Sequence, residues 1–342
     1  QLVQLKALNI RLRFNTAENA VYHWSIVNFI QVSNIDLNLD AIPDLFVFDR
    51  TGNKVRTFIN KGTADTVDFK YDPHYEARFP LMHDWVLLAD YNCDNKEDIF
   101  TSSEGGFAVY KNVSDNTVGL QFQLVTSLQY SNYNPPSGPP GPLYIIPVDI
   151  PSFVDVDNDN DLDVITFTNG SNYIQYHQNQ SMEQYGVCDS LIFEIKSRCW
   201  GYASESSSSN NFTLYDTCTG NVLNPGMTIN LSGNRSGAHQ GGCSLCIDMD
   251  ADGDKDLIVG DISYTNLTML TNGGTASAAG FIVKDGTFPS GNGGSPSVNL
   301  PVSPCAYYAD VNNDGVKDLI VSPNSPNISE NSSSVLYYKN TG

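Results

Sequence analysis

The sequence lacks long hydrophobic runs and is poor in basic residues. No stretch of about 18 apolar residues is present, so the sequence predicts no membrane-spanning helix. Lys and Arg together number 18 against 38 Asp and Glu, which gives a net charge of -20. This charge repels nucleic-acid phosphates and anionic membrane surfaces, so we expect no nucleic-acid partner. Cations are the natural ligands of such a chain.

Catalytic motifs are also missing. The chain contains no G-x-S-x-G elbow, no H-E-x-x-H pair and no phosphate-binding P-loop, and its five histidines are scattered. Paired acids of the kind that hydrolyse glycosides remain an alternative in so acidic a chain. The carboxylates that follow a pattern, however, fit a different use. The sequence therefore predicts a protein that is not an enzyme.

The seven cysteines do not form the two CxxC pairs of a zinc site, since only Cys243 and Cys246 have that spacing. We expect disulfides formed in an oxidising compartment, with at least one cysteine left unpaired because the count is odd. Cys188, Cys199 and Cys218 fall in one irregular stretch, where cross-links would help most. The chain begins at Gln1 without a basic leader, which favours a mature form of a secreted or cell-surface protein.

A cluster of aspartates recurs five times. The copies are "DLNLDAIPDLF" from Asp36, "DYNCDNKEDIF" from Asp90, "DVDNDNDLDVI" from Asp155, "DMDADGDKDLI" from Asp248 and "DVNNDGVKDLI" from Asp310. Oxygen ligands at positions 1, 3, 5 and 9, with a backbone carbonyl at position 7, suit a hard cation that takes six to eight oxygens. Calcium fits better than magnesium, which demands a stricter octahedron. We therefore expect up to about five calcium ions.

The predicted calcium ligands are the residues at positions 1, 3, 5 and 9 of the five loops, 36–44, 90–98, 155–163, 248–256 and 310–318. They are Asp36, Asn38, Asp40, Asp44, Asp90, Asn92, Asp94, Asp98, Asp155, Asp157, Asp159, Asp163, Asp248, Asp250, Asp252, Asp256, Asp310, Asn312, Asp314 and Asp318. Position 6 should tolerate a tightly turned or left-handed backbone. An EF-hand is excluded, because none of the loops has Glu at position 12.

Short β-rich runs surround each loop, and a further strand ends in Asn60, Asn112, Asn179, Asn272 or Asn340. This repeat of strands predicts an all-β fold, a β-propeller of about five to seven four-stranded blades with Asp-rich calcium loops. Residues 1–342 would form a single domain with a Cys- and Ser-rich insertion at about 186–240. Residues 1–35 would either contribute to the first blade or close the ring against the last. Because the chain stops midway through a repeat, we also expect a fragment or a processed form.

The repeats resemble the FG-GAP or VCBS class, the calcium-binding blades of integrin α-chain propellers and of bacterial surface proteins. More specifically, "DLFVFDR", "DWVLLADYNCDNKEDIFT", "VYKN" and "CWGYASES" resemble secreted VCBS-repeat proteins of bacteria that use the type IX secretion route. The resemblance implies a propeller, calcium at positions 1, 3, 5 and 9 of each loop, and an extracellular location. Position 6 departs from the family's Gly in three loops, at Ala41, Asn95 and Asn160.

These observations favour a secreted or cell-surface, calcium-stabilised propeller that acts as a non-catalytic binding or adhesion module. The expected partners are an extracellular protein or glycan, with secretion or outer-membrane surface machinery as a further candidate. One alternative is a carbohydrate-active or other hydrolytic enzyme, or its accessory domain. Another is a structural component of a surface or secretion assembly. Among the aromatic residues that a ligand could contact, Trp85 is expected in the core and Trp200 at the surface.

Overall fold

The chain folds into a five-bladed β-propeller in the computed structural model, which describes residues 5–7, 29–168, 172–206, 209–218, 242–290, 295–301, 303–324 and 335–342. The predicted all-β propeller is thereby confirmed, with five blades. Helix is confined, among these residues, to the short α1 (Ser181–Tyr185) and two single 3-10 segments, Pro73–Arg78 and Trp200–Tyr202. None of the helices in this described part is long and apolar enough to cross a membrane.

Each blade is an antiparallel sheet whose strands follow one another outward from the centre. The first blade comprises β2 (Ile30–Ile35), β3 (Asp44–Asp49), β4 (Lys54–Asn60) and β5 (Phe69–Tyr71). The second comprises β6 (Val86–Ala89), β7 (Asp98–Ser103), β8 (Gly106–Asn112) and β9 (Phe122–Thr126). The third contains β12 (Ser152–Val154), β13 (Asp163–Phe167), β14 (Ile174–Asn179) and β15 (Phe193–Ser197). The fourth contains β18 (Cys243–Ile247), β19 (Asp256–Gly260), β20 (Leu267–Asn272) and β21 (Phe281–Phe288).

Both chain ends take part in closing the ring. The fifth blade comprises β22 (Pro304–Ala309), β23 (Asp318–Pro323) and β24 (Leu336–Asn340), and its outermost strand is β1 (Leu5–Ala7). Strand β1 pairs antiparallel with β24, with Leu5 opposite Asn340 and Ala7 opposite Tyr338. Because β2 is the innermost strand of the first blade, the N-terminal region serves both of the uses that the sequence left open.

Additional strands extend the third blade. A hairpin of β10 (Tyr130–Asn132) and β11 (Pro140–Pro142) adds to its outer edge, where β10 pairs in parallel with β15. The Pro- and Gly-rich segment before the third acidic loop therefore forms the turn and second arm of a hairpin. In the Cys- and Ser-rich insertion, β16 (Ala203–Glu205) pairs with β17 (Phe212–Leu214). Residues 219–241 of that insertion lie outside the described residues.

The core lies between adjacent blades because each blade is covered on both faces by its neighbours. This explains why second strands such as β7 and β19 are buried at nearly every position instead of at alternating ones. Trp85 is fully buried beside Phe153 of the third blade, with ring centroids 6.1 Å apart, as the sequence predicts. The prediction for Trp200 is wrong: its side chain is 3% exposed and meets the ring of Phe281 edge to face.

Three disulfides link the blades and the insertion. Cys93–Cys188 joins the second blade to the third, Cys199–Cys218 closes the insertion, and Cys243–Cys305 joins the innermost strands of the fourth and fifth blades. Cys246 is a buried free thiol, and burial raises its pKa to about 12. Three disulfides indicate an oxidising environment, as the cysteine count led us to expect.

Arg50 lies on the face that carries the turns between second and third strands. Its guanidinium donates to the carbonyl oxygen of Pro147 at 3.0 Å, to that of Asp84 and to the side chain of Asn324. It also lies 4.6 Å from the centre of the Phe29 ring. These partners precede or follow strands of four blades, so the contacts of Arg50 link four of the five blades.

Candidate metal centres

The five acidic loops connect the first strand of each blade to the second, and all lie on the face opposite Arg50. Neighbouring loops touch: the side chain of Asn158 donates to the carbonyl oxygen of Gly253 at 2.7 Å. The disulfide of Cys93, at position 4 of the second loop, reaches the connection that follows β14. The predicted ligands are therefore gathered on one face but in five separate loops, one for each blade.

The aspartate at position 9 is buried in every loop and links the loop to the sheet by hydrogen bonds. One carboxylate oxygen accepts the backbone N–H of position 2, and the other accepts the N–H of the Asn that ends the third strand. The first contacts, to Asp44, Asp98, Asp163, Asp256 and Asp318, measure 2.9, 3.2, 2.9, 2.8 and 3.5 Å. The second measure 2.7, 2.7, 2.8, 2.8 and 2.8 Å. These aspartates are fully buried, and the two contacts hold each loop to its sheet.

The Asn at the end of each third strand adds further hydrogen bonds between the loop and the sheet. In Asn60, Asn112, Asn272 and Asn340, the side-chain N–H donates to the carbonyl oxygen at position 8, 2.9 to 3.3 Å away. Their side-chain oxygen accepts the N–H two residues further on. Asn179 differs, because its side-chain N–H donates to the carbonyl oxygen of Ser190. The recurring Asn seen in the sequence is therefore a connector between the acidic loop and the third strand.

The loop backbone is folded around the carboxylates at positions 1 and 5. The position 1 carboxylate accepts the N–H of position 6 in all five loops, at 2.8 to 3.1 Å. The position 5 carboxylate accepts the N–H of position 7, at 2.8 to 3.1 Å. Position 6 is left-handed in each loop, as the sequence predicts, with φ between 61° at Asn95 and 97° at Gly253. Position 4 is left-handed as well, which the sequence did not indicate.

Carboxylate oxygens converge most closely in the third and fourth loops. One ligand oxygen from each of Asp155, Asp157 and Asp163 lies within 4.8 Å of the others, and Asp248, Asp250 and Asp256 form the equivalent group. Both groups combine positions 1, 3 and 9. Three carboxylate oxygens this close together could hold a metal ion.

The first, second and fifth loops carry less charge because position 3 is Asn. In the second and fifth loops a lysine already contacts position 5: Lys111 lies 3.6 Å from the Asp94 carboxylate, and Lys339 lies 3.0 Å from Asp314. Both lysines directly precede the connecting Asn of their blade. A bound cation in these two loops would share the position 5 carboxylate with an ammonium group.

Burial and mutual repulsion raise the pKa of the position 9 aspartates and so shift them toward the protonated form. Desolvation is the larger cause and raises the pKa of Asp44, Asp98 and Asp256 to about 7, and that of Asp163 to about 9. The neighbouring loop carboxylates add to the shift, and backbone N–H donors oppose it. A cation placed among these groups would favour their ionised forms.

Three acidic residues in or beside the loops were not among the predicted ligands. Asp161 and Asp254 occupy position 7, where a backbone carbonyl was expected to be the ligand, and both side chains are buried. In both loops the aspartates at positions 5, 7 and 9 occupy every second position, and this pattern could have identified the residue at position 7 as a further ligand. Glu183 belongs to α1, and one of its oxygens lies within 4.8 Å of oxygens of Asp157 and Asp159. No sequence signal relates that helix to the third loop.

One histidine is paired with a serine in the core. Nδ1 of His177 lies 2.8 Å from the hydroxyl of Ser131, a pairing used by nucleophilic enzymes, but both side chains are fully buried. Burial lowers the pKa of His177 to about 3, so the ring is neutral. The pair is a core hydrogen bond that a substrate cannot reach.

Comparison with known proteins gives likenesses of shape at low identity. No protein-family model matches the chain, and no curated protein matches it. A lectin from Agrocybe aegerita, described for recognition of non-reducing terminal N-acetylglucosamine, aligns at 16% identity and a TM-score of 0.35, over 86% of this chain and 75% of the lectin. A chain of a TcdB2–TccC3–Cdc42 complex aligns at 11% identity and a TM-score of 0.41. That alignment covers 98% of this chain and 15% of the other. Neither alignment transfers a ligand to this chain.

Proposed function

We propose that this protein is a secreted or cell-surface propeller, stabilised by calcium, that serves as a non-catalytic binding or adhesion module of the FG-GAP or VCBS type. The observation that carries the calcium assignment is the common fold of the five loops. In every loop, positions 1 and 5 are bound to turn amides and position 9 is anchored to the sheet. A solvent-exposed turn that binds no ion does not require acidic residues at all three of these positions.

The donor chemistry favours calcium over other cations. All side-chain donors are carboxylate or amide oxygens, which suit hard ions, whereas zinc and copper prefer nitrogen or sulfur. The loops are irregular and accept several oxygens, and calcium tolerates such geometry better than magnesium does. Without an ion, the carboxylates of Asp155, Asp157 and Asp163 repel one another at close range. Ion binding and folding should therefore be coupled.

Exposed aromatic residues support the binding role. Tyr202 and Tyr215 are 60% and 72% exposed, and the backbone N–H of Asp216 donates to the carbonyl oxygen of Tyr202 at 2.8 Å. The Cys199–Cys218 disulfide encloses this segment. Rigid aromatic side chains are the residues that most often anchor protein ligands, and their faces also suit sugars. The ligand class we propose is an extracellular protein or glycan.

The first test is calcium content together with thermal unfolding. The protein, freed of metal with a chelating resin, is titrated with calcium while bound ions are counted by native mass spectrometry and the melting temperature is followed. We expect several ions per chain and a melting temperature that rises with free calcium. A chain that binds no calcium and melts at one temperature throughout would overturn the proposal.

The ligand is then sought on a glycan array and against immobilised extracellular proteins, with calcium present and with a chelator. Binding that is lost in the double variant Tyr202→Ala/Tyr215→Ala, while calcium content stays unchanged, would support the module. Turnover of a glycan instead of retention would favour the hydrolase alternative. Absence of binding to both panels would leave the structural role in a surface assembly as the better reading.

A further inference from the structure

The third blade holds an acid beside its loop that comes from outside the loop. Glu183 lies on α1, in the connection between β14 and β15, and three contacts keep this helix against the loop. The backbone N–H of Met182 donates to Asp161 at 2.9 Å. The side-chain amide of Gln178 donates to Asp157 at 2.5 Å and to Glu183 at 2.6 Å. The Glu183 carboxylate is thus positioned next to the loop acids in spite of the repulsion between them.

Two groups of potential ligands share one residue here. Asp155, Asp157 and Asp163 form the first, and Asp157, Asp159 and Glu183 form the second, with the ligand oxygens of each group within 4.8 Å of one another. The first group contains positions 1 and 9 of the loop, whereas the second contains position 5 and the helix. Asp157 belongs to both, and a carboxylate has two oxygens with which to serve two cations.

Unpaired buried oxygens mark the same place. Asp161 is 2% exposed, and its Oδ1 has no hydrogen-bond partner among the described residues. Oδ1 of Asp157 and Oδ2 of Asp159 are likewise buried without a partner. An orphaned buried carboxylate oxygen is costly, and three of them occur in this one loop, where a nearby cation would satisfy them.

We propose that the third blade binds two divalent cations of the calcium type, bridged by Asp157. The first is the loop ion of the proposed function, on which this inference rests. The second is held by Asp157, Asp159 and Glu183, with the Asp161 carboxylate beside it. Its effect is to fasten α1 to the acidic loop. The same connection carries Cys188, the partner of Cys93 in the second loop. The second ion therefore strengthens the link between the second and third blades.

The fourth loop provides an internal comparison. It has the same acids at positions 1, 3, 5, 7 and 9, and Oδ1 of Asp254 is also without a partner. Only one group of ligands forms there among the described residues, because no acid equivalent to Glu183 approaches it. We therefore expect two ions in the third blade and one in the fourth.

The test counts ions in the intact chain and in Glu183→Gln, an isosteric change at an exposed position. Native mass spectrometry over a series of free calcium concentrations should show one ion fewer in the variant than in the parent. Glu104→Gln, at an exposed turn on the opposite face, is the matched control and should keep the full number. An unchanged count in Glu183→Gln would overturn the second site and leave the proposed function standing. A parent chain without any calcium would overturn both.

A second experiment locates the ions directly in the parent chain and needs no variant. Crystals soaked with Tb³⁺, a calcium substitute, should give two anomalous peaks beside Asp157 and one beside Asp250. A single peak in the third blade, with Glu183 as an additional ligand of that one ion, would contradict the proposal.

Discussion

Asn34 and Asp310 join the first blade to the last through a reciprocal pair of hydrogen bonds. The side-chain amide of Asn34 donates to the carbonyl oxygen of Asp310 at 2.8 Å, and its oxygen accepts the N–H of Asp310 at 2.8 Å. Asp310 is position 1 of the fifth acidic loop. The Asn34 side chain thus links the innermost strand of the first blade to the fifth blade. It also fixes the backbone at the start of the fifth acidic loop.

Substitution of Asn34 by Leu should weaken ring closure. The change removes both hydrogen bonds and leaves the polar groups of Asp310 without these partners, so we expect a loss of about 1–3 kcal/mol in the free energy of unfolding. Denaturant unfolding in calcium measures it. Asn116→Leu, at an exposed loop position, is the control and should change little. Equal stability of Asn34→Leu and the parent would show that the pair contributes nothing to closure.

The connecting Asn should matter with or without calcium. The side-chain oxygen of Asn272 accepts N–H groups of Gly274 and Gly280 at 3.0 and 2.8 Å, and its N–H donates to the carbonyl oxygen of Lys255 at 3.3 Å. Asn272→Ala removes these contacts in a buried setting and should cost about 2–4 kcal/mol. The loss should be similar in metal-free and calcium-loaded protein, as measured by denaturant unfolding. A loss confined to the calcium-loaded form would instead identify Asn272 as part of ion binding.

The metal-free protein should become less stable as the pH rises from about 4 to about 7. Asp44, Asp98 and Asp256 have pKa values raised from 3.8 to about 7 by burial and by neighbouring acids, and that of Asp318 is raised to about 6. A raised folded-state pKa stabilises the fold below the unfolded value, and this stabilisation is lost as the pH climbs through the folded value. Bound calcium should remove or reverse the trend.

Denaturant midpoints across this pH range, in resin-treated protein and in excess calcium, measure the difference. The comparison between the two series isolates the loops, because acids with lowered pKa values elsewhere, such as Asp72, contribute to both. Two parallel pH profiles would contradict the prediction.

Removal of the lysine beside the fifth loop should tighten calcium binding there. Lys339 contacts the Asp314 carboxylate at 3.0 Å and that of Asp65 at 3.5 Å, so it competes with a cation for position 5. An ion pair at this depth is worth up to about 1 kcal/mol, so Lys339→Gln should bind calcium about 3–5-fold more tightly at one site. Isothermal titration calorimetry measures the change, with the exposed Lys70→Gln as control. Weaker binding in Lys339→Gln would mean that the lysine orders the loop.

The sequence carried the repeat and the chemistry of the loops, but not the way in which the loops are attached. Spacing of Asp36, Asp40 and Asp44 predicts oxygens at positions 1, 5 and 9, and residues 41 and 95 are left-handed as expected at position 6. The hydrogen bond that Asp44 accepts from the N–H of Asn60 depends on a third strand lying beside the second. Single-sequence patterns do not show such a pairing.

Long-range packing decided the remaining features. Glu183 approaches the third loop only because Gln178 and Met182 hold α1 there, and each contact is invisible in a linear pattern. Trp200 was expected at the surface because it lies beside a cysteine in the inserted segment. It is buried because the insertion folds back on the fourth blade, where Phe281 covers it. The three-residue strand β1 is too short to be distinguished from a loop.

The closure of the ring by β1 and β24 also sets how the fold responds to mechanical tension. Leu5 lies opposite Asn340, so the outward-leading ends of the two strands lie side by side. We call the pairing of β1 with β24 the clasp. Tension applied to the chain beyond Leu5 and Asn340 breaks the hydrogen bonds of the clasp one at a time. Tension applied along the strands would instead have to break all of them together. The clasp of the fifth blade therefore yields at a low force.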